Sequence, residues 1–144
     1  MVLFCIGCSS QKRLGPKQSG DWAYAPHTVA VHPLSRFKNP VDGEEEPTLV
    51  VHVEFADGDE FACRAVGELS VTITDSRGTV LGTQVVHLED PNENYLRFDP
   101  VTRTYLVLFN NISEKRNLIS ARATFTSTTE KPIRSTQHII KNNR

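Results

Sequence analysis

Apolar and polar residues alternate with a period of two along much of this chain. Leu49, Val51, Val53 and Phe55 fall on one side of a run whose other side carries Val50, His52 and Glu54. Leu69, Val71 and Ile73 alternate in the same way with Ser70, Thr72 and Thr74, and Ile119, Ala121, Ala123 and Phe125 repeat the pattern further on. Successive side chains of a strand point to opposite faces, so each run predicts a strand half buried against a core. Further strands are expected at 28–32, 61–66, 79–88 and 133–140, with a short edge strand at 95–98. The run 104–109 is apolar on both faces and predicts a central strand.

Turn chemistry punctuates these runs. Pro33-Leu34, Asp57-Gly58-Asp59, Asp75-Ser76-Arg77-Gly78 and Asp90-Pro91-Asn92-Glu93-Asn94 all read as tight connections. No segment shows a sustained helical period. Strands separated by turn signals about every 8–12 residues predict an all-β fold, a single antiparallel β-sandwich of about 7–8 strands.

The stretch Phe98-Asp99-Pro100-Val101-Thr102-Arg103-Thr104-Tyr105-Leu106-Val107 resembles the turn-to-strand segment of immunoglobulin-like and fibronectin type III domains. That resemblance implies a tyrosine corner at Tyr105, whose hydroxyl would bond backward to the backbone. A C2-like sandwich is the second form expected, because acidic groups fall in loops: Asp42-Gly43-Glu44-Glu45-Glu46, Asp57-Gly58-Asp59-Glu60 and Glu89-Asp90. Calcium takes about six to eight hard oxygens, and Asp57, Asp59, Glu60 and Asp90 are the candidate ligands. The competing reading of the same residues is solvated turns, where Asp and Gly serve backbone conformation.

Composition narrows the function classes. The chain has 144 residues, enough for one domain. Its formal net charge of −1 implies no nucleic-acid partner. No catalytic motif is present: there is no Gly-x-Ser-x-Gly, no His-Glu-x-x-His and no phosphate-cradling glycine loop. The histidines His27, His32, His52, His87 and His138 lie on different segments without ligand spacing. Two cross-strand meetings are nonetheless expected, His32 with His52 and His87 with His138. Cys63, in a strand-like run, reads as a small buried hydrophobe. The expectation is a protein without enzymatic activity or cofactor, calcium excepted.

The N-terminus gives an address. Cys5-Ile6-Gly7-Cys8, after apolar residues and before a polar Ser9-Ser10-Gln11, resembles the cleavage site of bacterial lipoproteins. The resemblance implies a diacylglyceryl group on the Cys8 sulfur, cleavage after Gly7 and acylation of the new amino terminus. Ser9, in place of Asp, implies sorting to the outer membrane. Residues 1–7 are then a signal remnant, 8–26 a polar tether with an aromatic lead-in, 27–141 the sandwich and 142–144 a frayed tail. A complete signal has a basic region and an apolar stretch of about 7–15 residues, so further coding sequence is expected upstream of Met1. Without it, the same domain would be a cytosolic β-sandwich.

Two other uses of these cysteines fit less well. A redox Cys5-x-x-Cys8 pair needs a strand-to-helix setting. A zinc site completed by His27 and His32 has a central gap longer than the about 12–15 residues of a zinc finger. The expected partners are therefore the membrane, through Cys8, and an envelope protein or glycan.

Overall fold

A computed structural model describes residues 25–38, 48–112, 118–127 and 131–141. Cys8, the tether, the acidic run 42–46 and the tail 142–144 lie outside the described residues. The elements are β1 (Thr28–Val31), β2 (Arg36–Lys38), β3 (Thr48–Ala56), β4 (Glu68–Asp75), β5 (Val80–His87), α1 (Pro91–Arg97), β6 (Phe98–Asp99), β7 (Thr104–Phe109), β8 (Leu118–Thr126), β9 (Ile133–Arg134) and β10 (His138–Lys141).

They form two antiparallel sheets, ordered β1-β3-β7-β6 and β10-β8-β4-β5, with β2 also on β3 and β9 also on β8. The all-β sandwich is thus the observed fold. The period-two residues supply its interior. Leu49, Val51, Val53 and Phe55 face inward from β3, and Leu69, Val71 and Ile73 from β4, all at most 1% exposed. Each such burial contributes about 1.5–3 kcal/mol relative to exposure. Phe55 joins the two layers, edge-on to Tyr105 at 5.7 Å and to Phe125 at 4.9 Å between ring centroids.

Each sheet has one edge that breaks and is mended by a serine. β1 and β2 both pair with β3, over Val53–Ala56 and Thr48–Val50 respectively, with Pro33 in the gap. The buried Ser35 fills that gap, its Oγ accepting from the His52 backbone N–H at 3.0 Å and donating to the His32 carbonyl at 2.7 Å. In the other sheet, β9 and β10 both pair with β8. There the buried Ser135 Oγ accepts from the Ala123 N–H at 2.9 Å and donates to the Thr136 carbonyl at 2.8 Å. A buried backbone N–H left without a partner costs about as much as a lost hydrogen bond, which explains a polar residue at each gap.

Three expectations need correction. The strand expected over 133–140 is two short strands, because Ser135 substitutes a side-chain bond for the ladder at the break. The edge strand expected at 95–98 is mostly the helix α1, followed by β6. Asp90 caps that helix, accepting from the Asn92 N–H at 2.8 Å, while Pro91 opens its first turn and Glu93 meets Arg97 at 3.2 Å. Asp, Pro and an acidic residue in this order are helix-start signals, and they outweigh the turn reading of the same residues.

The third correction concerns 61–66. Apart from one bridge, Ala56 to Ala62, the segment forms no strand. Phe61 and Val66 are turned to solvent while Ala65 is buried. Side chains, not a neighbouring strand, satisfy the Ala65 backbone.

Candidate functional site

Tyr105 lies at the centre of that arrangement. Its hydroxyl donates to Asn94 Oδ1 at 2.9 Å and accepts from the Ala65 N–H at 3.2 Å. Asn94, buried on α1, donates through Nδ2 to the carbonyls of Ala65 at 2.7 Å and Leu88 at 2.8 Å. Burial, first of all, pushes the Tyr105 hydroxyl pKa up, so it stays a proton donor. The Tyr105 hydroxyl thus bonds backward to the backbone at Ala65, and the helix α1 places Asn94 within its reach as well. This network is structural: it ties the 61–66 segment, α1 and β7 together.

The candidate calcium ligands are occupied or dispersed. Asp57 is buried, and its Oδ1 accepts from the N–H groups of Asp59 and Phe61, both at 3.0 Å. Asp59 and Glu60 are exposed in that turn. Asp90 is the cap of α1. Among the described residues, no three His, Cys, Asp or Glu gather where they could hold a metal ion.

The histidines also separate. His32 and His52 do meet, the N–H of His32 donating to the His52 carbonyl at 2.8 Å. His87 and His138 lie on strands at opposite edges of one sheet and do not meet, which corrects the second expected pair. The His52 ring faces Thr104 Oγ1 at 2.9 Å, which contacts Thr102 Oγ1 at 2.8 Å, which donates to Asp99 at 2.9 Å. Burial is the main cause of a lowered His52 pKa, with Arg36 and His32 acting in the same direction and Asp99 against them. Ser35 engages only the backbone of His52, so Ser35, His52 and Asp99 do not form the nucleophile–base contact that acyl chemistry requires. His87 is on the other sheet, hydrogen-bonded to Glu89 at 3.0 Å.

The outward face of the β10-β8-β4-β5 sheet offers a different arrangement. The register sets Thr72 opposite Arg122, Thr74 opposite Ser120 and Ser70 opposite Thr124 across β4 and β8. Arg134 of β9 stands opposite Thr124. Cross-strand partners share a face, so the polar half of the alternating pattern becomes a hydroxyl-covered surface. Thr72, Thr74, Ser120, Arg122, Thr124 and Arg134 line one open depression of about 410 Å³, with Gln137 and the Gly78 turn at its margin. Among the described residues no carboxylate lines it, and neither arginine side chain has an ion pair or hydrogen bond. Sequence reading missed this site because Ser and Thr on an alternating strand read simply as a solvent face. Arg122 and Arg134 were visible, but their adjacency depends on the pairing of β8 with β9.

Exposed apolar side chains gather at one end of the sandwich, beside the exposed Asp59, Glu60, Glu89 and Asp90. Phe61, Val66, Tyr95, Leu96 and Val101 are each at least 68% exposed, on α1 and in the loops that follow β3 and β6. The chain enters β1 at this same end, since Thr28 pairs with Ala56 and His27 lies beside Gly58. The depression extends the other way, toward Gly78. Among protein families, curated proteins and solved structures, no match to this chain was found.

Proposed function

We propose that this protein is a non-catalytic, lipid-tethered binding module of the bacterial envelope, presenting the Arg122–Arg134 sheet face to its ligand. The observation that carries the binding role is the pair of arginines that line one hydroxyl-rich depression, their side chains without partners among the described residues. Two guanidinium groups on one face repel each other, whereas they suit an incoming anion. The strand order supports an immunoglobulin-like module: β1-β3-β7-β6 and β10-β8-β4-β5 follow the A-B-E-D and G-F-C-C′ sequence of such domains. That correspondence concerns architecture, and the role rests on the site.

The tether rests on the Cys8 motif, and the fold is compatible with it. A chain entering at the end away from Gly78 would leave the depression on the flank, open to a ligand when the domain is anchored. The test is metabolic labelling with an alkyne fatty acid, followed by membrane fractionation. The chain, expressed with its native upstream sequence, should carry label and sediment with membranes, and Cys8→Ala should lose both. Equal behaviour of the two chains would replace the envelope reading with the cytosolic one.

A further inference from the structure

We infer that the Arg122–Arg134 depression binds an acidic saccharide, one whose carboxylate or sulfate is gripped by the two guanidinium groups while its hydroxyls engage the surrounding Thr and Ser side chains. The inference rests on the binding-module reading above and names the ligand of that site. Arg134 is opposite Thr124, two residues along β8 from Arg122 and on the same face. Diagonal neighbours of this kind are about 7–8 Å apart at the backbone, close enough for two long side chains to converge on one group. A guanidinium presents a rigid fork of donors that matches a planar carboxylate or one edge of a sulfate. Two forks with no carboxylate beside them among the described residues suit an anionic ligand.

The remainder of the lining selects the scaffold that bears the anion. Thr74, Ser120 and Thr124 each offer a hydroxyl, Thr72 one that also meets Thr83 Oγ1 at 3.1 Å, and Gln137 an amide, so the site both donates and accepts. Small-molecule sites are commonly about 300–1,000 Å³ and mostly apolar. This one has the size, and apart from Ala121 and Gly78 every residue of its lining carries a hydroxyl, amide or guanidinium group, which suits a hydroxyl-rich ligand. Bulk attraction is not the source of affinity, because the whole chain carries a net charge of −1. Recognition must come from the local pair.

The test uses the full chain with Cys8→Ser, titrated in a calorimeter and by amide-shift mapping. The probes are an oligogalacturonate, a heparin-derived tetrasaccharide, maltotetraose and inorganic sulfate. The expected result is saturable binding of the oligogalacturonate or the sulfated tetrasaccharide, the stronger of the two identifying the oxyanion, with shifts at Thr72, Ser120 and Thr124. Arg122→Lys and Arg134→Lys should each weaken binding about tenfold or more, because charge is kept and the fork is lost. Arg103→Lys, on the loop before β7, should bind as the parent does. Maltotetraose binding equally well at this face would overturn the acidic requirement while leaving a binding module. Sulfate alone binding as tightly, Lys variants binding unchanged, or no saturation up to about 10 mM would each overturn the inference. Fatty-acid labelling of Cys8 is read separately, so loss of the tether and loss of the ligand are distinguishable.

Discussion

Tyr105 and Asn94 share a buried hydrogen bond, 2.9 Å from the tyrosine hydroxyl to Oδ1, and through it β7 holds a helix against an irregular segment. Tyr105→Phe removes the donor to Asn94 and the acceptor for the Ala65 N–H. It should cost about 1–3 kcal/mol in urea unfolding, the range for stranding buried polar groups. Asn94→Ala should cost at least as much, since it frees the carbonyls of Ala65 and Leu88 as well. The double variant should lose less than the sum, because both residues serve one network. Full additivity would mean that the two bonds act independently.

Ser35 and Ser135 predict a matched pair of outcomes in the two sheets. Replacing either by Ala leaves the His52 or the Ala123 N–H buried without its acceptor. Each should lower stability by about 1–3 kcal/mol. Hydrogen exchange should quicken at His52 only in Ser35→Ala and at Ala123 only in Ser135→Ala.

Gly67 has φ of 151°, and a Cβ there would lie 2.5 Å from the Thr126 carbonyl oxygen and 2.9 Å from the Phe125 ring. Backbone cannot yield as a flexible side chain does. Gly67→Ala should therefore cost about 2–3 kcal/mol or more, measured by thermal or denaturant unfolding. Gly78→Ala is the informative comparison: its φ of 84° is also unfavourable, but nothing lies within 4 Å of the added carbon. It should cost less.

Acid should weaken the fold through His52. Its folded-state pKa is lowered, mainly by burial, so the unfolded chain binds the proton more readily. Its contribution is fully present above the unfolded value of about 6.5 and is lost as pH falls through the window below it. The parent should lose stability as pH falls below about 6.5, before the carboxylates titrate near pH 4. His52→Gln should show a shallower decline over the same range. Parallel curves would place the effect on groups other than His52.

Cys63 and the acidic loops give two expectations about reactivity. Burial first, and Asp57 second, push the Cys63 thiol pKa up. With Cys5 and Cys8 replaced by Ser, Ellman's reagent at about pH 8 should react with Cys63 more slowly than with a free thiol of ordinary pKa, because less thiolate is present. Calcium at about 1 mM should leave the melting temperature unchanged, since Asp57 and Asp90 are already hydrogen-bonded to their own loops. A rise reversed by chelator would restore the C2-like reading.

The sequence by itself determined the class of fold and most of its strands. Period-two alternation in β3, β4 and β8 specifies which side chains are buried, and a one-residue slip would turn every one of them outward. It also held the helix signal Asp90-Pro91 with Glu93, although a seven-residue helix carries too little periodicity to stand out from a turn. Tertiary structure alone decided the rest. Ala65 forms no strand because Tyr105 and Asn94, 40 and 29 residues away, take over its backbone hydrogen bonds. Arg122 and Arg134 become a pair only when β9 aligns beside β8. Local sequence determines which face a residue occupies, but a site depends on which strand is its neighbour, and that is settled by the packing of the whole sandwich.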